Sequence, residues 1–123
     1  MQDASAALVA VKQVQRLGGV LEHPAHSNLF KRCRLPVPGQ PSLFAPGFTI
    51  EIDQSAFGHA CQKRTWLYAV GIDQFPELPP SRKPTAVIAP SRNNVLNLPQ
   101  LKKSDRHLTP VELAKWLLQA LEK

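Results

Sequence analysis

The sequence is short of cysteine, of acidic residues and of long apolar runs, and each shortage excludes a class of protein. Two cysteines in 123 residues cannot build the disulfide framework of a small secreted domain. No apolar run approaches the roughly 20 residues that cross a bilayer. The N-terminal segment also lacks the charged start and apolar block of a signal peptide. We therefore expect a cytoplasmic protein with reduced thiols that does not enter the membrane.

The shortage of acidic residues leaves a large positive charge. Fifteen Lys and Arg against nine Asp and Glu give a formal net charge of +6, and such a surplus favours a polyanionic partner. Charge alone does not separate nucleic acid from an anionic membrane surface. With 43% hydrophobic residues, the chain can form one compact core and is too short for two ordinary domains. Residues 1–123 are therefore interpreted as a single domain.

Apolar periodicity predicts a helix towards each end of the chain and strands between them. The apolar residues Ala7, Leu8, Val11 and Val14 recur at helical spacing before a glycine pair. Alternation and β-branched or aromatic content predict the main strands. The predicted elements are a helix at 6–17, a strand at 20–24, a short helix at 27–34, strands at 48–53 and 65–70, and a short strand at 86–89. Proline breaks 35–47 and 73–106 into predicted surface loops.

The C-terminal helix is predicted from two local signals. Thr109 and Glu112 match a capping box, with Pro110 at the first helical position. An apolar stripe follows and defines the face that we expect to pack in the core. Its members are Ala114, Leu117, Leu118 and Leu121.

Two segments together resemble a motif pair of cytosine-5 DNA methyltransferases. The segment VLEHP at 20–24 resembles the family's strand-end Glu-Asn-Val motif, with Glu22 as its glutamate. Residues 57–71 resemble the family's Tyr-Gly-Val-Pro-Gln-x-Arg-x-Arg motif with its trailing strand and glycine. Aligned backwards from that glycine, Gln62 matches the family glutamine and Arg64 the first arginine.

The second motif also departs from the family pattern. Trp66 stands in place of the second arginine, and one extra residue lies between Gly58 and Gln62. The chain is still more similar to a group of short phage and prophage proteins that carry three shared blocks. These blocks are Gly-Gly-Val-Leu-Glu-His-Pro, Tyr-Gly-His-x-x-x-Lys-x-Thr-Trp-Leu-Tyr and Thr-Pro-x-x-x-x-x-Trp-Leu, and their counterparts here lie at 18–24, 57–68 and 109–117.

The resemblance implies a role in cytosine recognition. Such enzymes flip the base out of the duplex and add a cysteine thiolate to it before methyl transfer from S-adenosylmethionine. By resemblance, the Glu22 carboxyl would contact ring N3 and the exocyclic amine. The Arg64 guanidinium would contact O2, and Gln62 and Lys63 would support substrate binding.

The implied fold is an α/β domain with a small mixed sheet flanked by helices, like the second half of a doubly wound methyltransferase fold. The family's glycine-rich cofactor turn and Pro-Cys loop precede its Glu motif. Here Gly18 and Gly19 follow a helix, and Cys33 and Cys61 follow Glu22. The chain is thus interpreted as a truncated methyltransferase-like domain that is not autonomously catalytic. S-adenosylmethionine would bind, and Glu22 would be catalytic, only if a partner chain completed the site.

Several functions stay open at this point. The favoured hypothesis is a phage-type, DNA-modification-related protein that binds DNA or recognises cytosine. One alternative is a subunit of a split methyltransferase with an upstream-encoded half. Others are a protein-interaction module or homo-oligomer that covers an open sheet edge, a remnant with little function, and a metal-dependent nucleic-acid hydrolase. The last would use His23, His26, His59 and Cys61 as zinc ligands, although their spacing matches no recurrent signature.

Each candidate also has a purely structural interpretation. Glu22 would then cap the helix near Ser27 or pair with a local arginine, and Lys63 and Arg64 would be solvated loop cations. Trp66 and Trp116 fall within regular apolar patterns, so both are expected to pack in the core.

Overall fold

Three strands and three α-helices account for about half of the described chain. The computed structural model describes residues 4–86, 99 and 109–122. The elements are α1 Ala4–Leu17, β1 Gly19–Pro24, α2 Asn28–Arg32, β2 Phe48–Asp53, a 3₁₀ helix Gln54–Phe57, β3 Arg64–Val70 and α3 Val111–Leu121. The predicted α/β class is confirmed. Within the described ranges, no helix is both long and apolar enough to cross a membrane.

The last strand of the described residues, β3, is the central strand of the sheet. The order is β1-β3-β2, and β3 pairs antiparallel with both neighbours. In place of the predicted mixed sheet, every pair of adjacent strands here is antiparallel, because β3 returns between the other two. The strands β1 and β2 therefore run parallel to each other without touching. Their carboxyl ends lie at one end of the sheet, termed the site end, which also holds the start of β3.

One face of the sheet packs against α1 and α2 and is termed the α1 face. Alternation along β3 places Trp66 and Tyr68 on this face. Trp66 meets Phe30 of α2 edge to face, with ring centroids 5.0 Å apart. The predicted apolar stripe of α1 is confirmed, since Val11 is buried and Ala7, Leu8 and Val14 pack beside it.

The opposite face packs against α3 and the 3₁₀ helix and is termed the α3 face. It carries Leu67 at its centre, with Ile52 from the neighbouring strand. Trp116 of α3 stacks on Phe75 and meets Phe57 at an angle, with ring centroids 5.1 and 5.3 Å apart. The expectation that both tryptophans pack in the core is confirmed, because Trp66 is 6% and Trp116 7% exposed.

The start of α3 differs from the predicted capping box. The helix begins at Val111, so Pro110 occupies the N-cap position rather than the first helical one, and no side chain caps the helix. The carboxylate of Glu112 pairs with Arg82 at 2.8 Å instead of turning back to the helix start. The arginine of the preceding segment therefore takes the acceptor that a capping box would use.

The buried stripe of α3 is also different from the predicted one. Leu118 is 58% and Leu121 48% exposed, whereas both were expected in the core. Trp116 has the largest apolar surface on the helix, and its burial turns the helix by about one residue from the predicted face. The residues that α3 buries are Leu113, Trp116 and Ala120.

Other boundaries shift by a few residues. The short helix spans Asn28–Arg32 rather than 27–34, and the Ser27 side chain accepts a hydrogen bond at its start. The predicted strand at 86–89 is described only at Ala86, which forms an isolated bridge with Cys61. Residues 87–89 lie outside the described ranges, as does most of the predicted 73–106 loop. Neither cysteine is in a disulfide.

Candidate functional site

The residues that the methyltransferase resemblance singled out lie at the site end of the sheet. Glu22 lies opposite Leu67, two residues before the end of β1. Arg64 opens β3 and lies opposite Asp53, the last residue of β2. Glu22 therefore lies inside the paired part of β1. The sequence had suggested a position at the tip of the strand. Glu22 and Arg64 both lie towards the end of the sheet where β1 and β2 end and β3 begins.

The carboxylate of Glu22 is held by a buried amide. Gln54 opens the 3₁₀ helix and is 0% exposed. Its Nε2 donates to Glu22 Oε1 and to Thr65 Oγ1, each at 2.9 Å. Because Gln54 is fixed by two hydrogen bonds in a buried position, it restricts the rotamers that Glu22 can adopt. The half-buried Glu22 is thus a positioned carboxylate, and the structural expectation that it caps α2 or pairs with an arginine has no support in its described contacts.

Gln54 was missed by sequence reasoning. It lies 32 positions from Glu22 in the chain, and nothing in its local pattern distinguishes it from any polar residue after a strand. Its Oε1 is buried and accepts no hydrogen bond from the described residues. A buried acceptor without a partner is costly and rare, and it lies on the same side chain that positions Glu22.

Hydrogen bonds to the Asp53 carboxylate organise the segment before β3. The Oδ1 atom of Asp53 accepts hydrogen bonds from the backbone N–H groups of Ser55 and Lys63, each at 3.0 Å. Partial burial acts to raise the pKa of Asp53, but the hydrogen bonds from Lys63, Ser55 and Gln62 outweigh it and lower that pKa. The predicted substrate-binding residues Gln62 and Lys63 therefore shape the loop that presents Arg64.

Glu22 and Arg64 point to opposite faces of the sheet. Glu22 shares a face with its partner Leu67, the α3 face. Arg64 is three positions from Leu67, so alternation turns its side chain to the α1 face. Arg64 is exposed at the first position of its strand. The two side chains can reach one ligand only if that ligand lies beyond the site end, where neither face is covered.

The four candidate metal ligands are not gathered. His23 Nδ1 lies 2.8 Å from Ser27 Oγ, and His26 lies against Trp66 with ring centroids 4.7 Å apart. His59 is buried in the loop after the 3₁₀ helix, where its Nδ1 accepts a hydrogen bond from Cys61 N at 3.0 Å. Over residues 4–86, 99 and 109–122, no three His, Cys, Asp or Glu side chains form a group that could hold a metal ion.

Two of these histidines have informative environments. Burial lowers the pKa of His23, and the nearby charge of Glu22 acts against that change. Nε2 of His59 is buried and has no hydrogen-bond partner among the described residues. With Nδ1 accepting from Cys61, the neutral ring would carry its proton on Nε2.

The glycine pair does not fit the turn that a nucleotide cofactor needs. Gly18 and Gly19 join the end of α1 to the start of β1, with φ of 82° and 135°. A dinucleotide or S-adenosylmethionine turn leads from a strand into a helix, so that the helix start faces the ligand. Here the order is reversed, and the pair lies at the opposite end of the sheet from Glu22.

Comparisons with known proteins add no relative to this description. The chain matches no protein-family model, no curated protein and no solved structure. Any function must therefore be argued from the residues of the site.

Proposed function

We propose that this chain is a phage-type, DNA-modification-related protein that binds DNA and recognises an extruded cytosine without being catalytic alone. The observation that carries the proposal is the Glu22 carboxylate held by the buried Gln54 amide at the site end of the sheet. Exposed Arg64 lies at the same end. A positioned hydrogen-bond acceptor and an exposed guanidinium at the same end of the sheet suit a ligand that offers both a donor and acceptors.

Cytosine offers this combination on its Watson-Crick edge. Its exocyclic amine donates, and a carboxylate is the side chain that suits a cytosine amine. Its ring N3 and O2 accept, and a guanidinium can donate to them in one plane. In this arrangement Glu22 accepts from the amine and Arg64 donates to the opposite part of the edge. Because the two side chains leave the sheet on opposite faces, the base lies beyond the strand ends, which an extruded base can reach and a stacked base cannot.

The topology supports a methyltransferase-like origin for this site. The outer strands β1 and β2 run parallel, with β3 reversed between them. Doubly wound sheets commonly carry an antiparallel strand at the edge of an otherwise parallel sheet; here the reversed strand lies one position in from the edge strand β2. The three strands are compatible with one end of such a sheet, with β1 as the strand where further parallel strands would pair.

The cysteines support recognition rather than autonomous methylation. Cys61 is 1% exposed, so its thiol is not accessible to a base at C6. Cys33 ends α2 on the other face of the sheet from Glu22. Neither thiol lies with Glu22, so within the described residues the chain positions a base without a nucleophile beside it.

The direct test is binding to a duplex in which one cytosine stands opposite an abasic site, compared with thymine in that place. Such a base is already unpaired, so extrusion costs little. We expect tighter binding of the cytosine duplex, with affinity falling as salt rises. Glu22→Gln should reduce the preference for cytosine about tenfold, and Arg64→Ala should weaken binding of the cytosine duplex by a similar factor.

Matched variants at the opposite end of the sheet control for charge. Arg16→Ala removes a cation near the end of α1, and Glu122→Gln neutralises a carboxylate after α3. Neither should change the preference for cytosine. Circular dichroism checks that all four variants are folded. Equal binding of cytosine and thymine by the unaltered chain would overturn the proposal, as would a preference that survives both Glu22→Gln and Arg64→Ala.

A second candidate is a subunit of a split cytosine-5 methyltransferase. It is favoured by the edge position of β1, none of whose six residues is fully buried. An additional strand pairing there would cover this edge. The test is to mix the chain with the product of the adjacent upstream reading frame and measure methyl transfer from S-adenosylmethionine to DNA. Transfer by the mixture, and by neither chain alone, would replace the first proposal; no transfer would reject the split enzyme.

A further inference from the structure

A cleft on the α1 face has a chemistry that the cytosine site does not explain. It lies between α2 and residues 35–47 and has a volume of about 610 Å³. Phe30 and Trp66 lie at its wall, and Phe44 stands at the rim, 70% exposed. An exposed phenylalanine on a loop is costly in water, and here it faces a concave surface instead of lying alone. The loop that the sequence predicts only as a proline-rich surface segment forms one side of this cleft.

The aromatic side chains of the cleft are held by their neighbours. Trp66 is fixed by the hydrogen bond from its Nε1 to Glu51 Oε1 at 3.0 Å and by contact with the His26 ring. The Arg34 guanidinium lies 4.5 Å from the centre of the Phe44 ring. Since Phe44 remains largely exposed, the cation covers one side of the ring and leaves the other available for stacking.

The charge of the cleft is positive. Lys31 and Arg34 lie at its edge, and Asp and Glu are absent from the described residues that line it. Arg34 lies over Phe44, just after the end of α2, and Lys31 lies on α2 itself. The two cations therefore border the same opening. A cleft with aromatic walls and cations but no carboxylate selects a ligand that is both flat and anionic.

Two residues of the cleft have a left-handed backbone. His26 and Arg34 have φ of 62° and 54°, and they are the non-glycine residues with positive φ in the described chain. Both line this cleft. Arg34 closes the end of α2 in a Schellman motif, because Leu35 N donates to Phe30 O and Arg34 N to Lys31 O. The end of the helix therefore fixes where the Arg34 side chain leaves the backbone.

We propose that this cleft binds a nucleotide unit, with the base stacked on Phe44 above the Trp66 wall and the phosphate against Lys31 and Arg34. Aromatic stacking with an adjacent cationic track is how proteins hold unpaired nucleic-acid strands regardless of sequence. The proposal is independent of cytosine recognition, because it needs neither Glu22 nor a cytosine. It places a second nucleotide contact on the α1 face, the face to which Arg64 also turns.

The test uses a fluorescein-labelled oligothymidine, which contains no cytosine and therefore does not depend on the function proposed above. Phe44→Ala should weaken binding about tenfold, since stacking of one base contributes about 1 to 3 kcal/mol. Lys31→Gln with Arg34→Asn should lower the slope of log affinity against log salt by about 1, because each phosphate contact to a single strand contributes about 0.7. Asparagine is chosen because it tolerates the positive φ of Arg34.

The controls match each change on surfaces away from the cleft. Leu118→Ala removes an exposed apolar side chain from α3, and Lys12→Gln removes an exposed cation from α1. Neither should change affinity by more than about twofold, a difference below about 0.4 kcal/mol. Because Phe44, Lys31 and Arg34 are all exposed, their variants are expected to fold, and circular dichroism verifies this.

Two further ligands identify the source of the nucleotide. Binding of thymidine monophosphate as tight as binding of the oligomer would assign the cleft to free nucleotides, whereas a large gain with length would assign it to a single strand. Lack of binding to both would overturn the proposal. It would equally be overturned by binding that Phe44→Ala leaves unchanged, or by a polyglutamate that competes as well as the oligomer, since either result means that charge alone is recognised.

Discussion

The two faces of the sheet bury their polar groups in different ways. On the α1 face, the polar atoms of the large aromatic residues reach partners at the edge of the core: Trp66 Nε1 donates to Glu51, and the Tyr68 hydroxyl donates to Pro46 O at 2.6 Å. The Thr49 hydroxyl, which is buried without a described partner, is the exception on this face. Other polar side chains on this face line the cleft, which lies outside the core.

On the α3 face, a polar group lies inside the core. Gln54 is wholly buried, donates to Glu22 and Thr65, and keeps an acceptor without a described partner. An apolar residue there would avoid the cost of burying an amide. If both proposals hold, stability and recognition are separable on the α1 face, where the cleft lies outside the core, and coupled on the α3 face, where the buried Gln54 amide holds Glu22.

The largest effect should come from adding a charge at this amide. Gln54→Glu keeps the shape but directs a carboxylate oxygen towards Glu22. We expect a loss of about 4 kcal/mol of unfolding free energy at neutral pH, because a buried carboxylate at 54 and the half-buried one of Glu22 cannot both remain ionised without a large cost. Their shared proton is held more tightly in the folded state, so stability should return as the pH falls below about 5. Urea unfolding at both pH values measures this.

The control for that variant is Gln13→Glu, which makes the same chemical change on the exposed side of α1. Its unfolding free energy should stay within about 0.5 kcal/mol of that of the unaltered chain. If Gln54→Glu were equally harmless at neutral pH, the contact between Gln54 and Glu22 would not be a feature of the folded protein in solution.

The next largest effect compares the two faces with one residue type. Leu67 is 0% exposed at the centre of the α3 face, whereas Leu21 is half-buried on the edge strand and packs on the α1 face. We expect Leu67→Ala to cost about 3 kcal/mol and Leu21→Ala about half of that, since the cost follows the packing lost. Denaturant unfolding gives both values, and a larger loss for Leu21→Ala would contradict the assignment of β3 as the central strand.

A smaller effect concerns the hydroxyl of Tyr68. Tyr68→Phe should cost about 1 kcal/mol at neutral pH, because Pro46 O loses its donor. Burial raises the pKa of Tyr68, while the hydrogen bond from Gln15 acts against this. The unfolded chain then ionises first as pH rises, so the folded protein should lose stability above about pH 10, and Tyr68→Phe should remove that loss.

The chain contains one tyrosine, which makes this titration directly observable. Tyrosinate absorbance reports Tyr68 alone, and it should appear at higher pH in the folded protein than in urea. Ionisation at the same pH in both states would mean that Tyr68 is exposed in solution and that the α1 face is not closed.

The smallest effect tests the charge of Glu22 without any ligand. Burial lowers the pKa of His23, and the Glu22 charge opposes that change. Glu22→Gln should therefore lower the pKa of His23 further, as followed by the pH dependence of its imidazole proton resonances in NMR spectra. Glu51→Gln should leave it in place, because Glu51 is not among the charges that act on His23. A rise in the His23 pKa in Glu22→Gln would contradict a charged Glu22.

The lowered pKa of His23 also has a consequence for stability. The folded state resists protonation of this ring, so its contribution to stability is present above about pH 6.5 and is lost as the pH falls through the lowered value. In Glu22→Gln the loss should begin near the same pH, which the unfolded chain sets, but continue to a lower pH and become larger in total, which urea unfolding across the acid range measures.

Local sequence patterns predicted the elements of this fold well where periodicity and chain breakers agree. The strand Phe48–Asp53 and the stripe of α1 match the structure because alternation and helical spacing are properties of the local backbone. The predicted apolar face of α3 was wrong in part, because Leu117 packs against the core whereas Leu118 and Leu121 are exposed. Its leucines and alanine offer two adjacent stripes, and only contact with Phe57 and Phe75 selects the stripe that contains Trp116.

The candidate site divides in the same way. Glu22 and Arg64 were found from motif spacing, and both lie at the site end of the sheet. Gln54 was not, because its importance arises from a contact across 32 positions of the chain. The cleft was missed for a similar reason: Phe44 and Lys31 lie in unrelated local patterns, and only folding of the 35–47 loop against α2 brings them together.

The sequence by itself determined which segments are helix and strand, the surplus of positive charge, and the residues able to hydrogen-bond a base. Those properties depend on side chains and neighbours within a few positions. Only the tertiary structure decided that β3 lies between β1 and β2, that Glu22 and Arg64 leave the sheet on opposite faces, and that a buried amide holds Glu22. Strand order and buried hydrogen bonds depend on contacts between distant segments, which compete for one core and which local patterns do not encode.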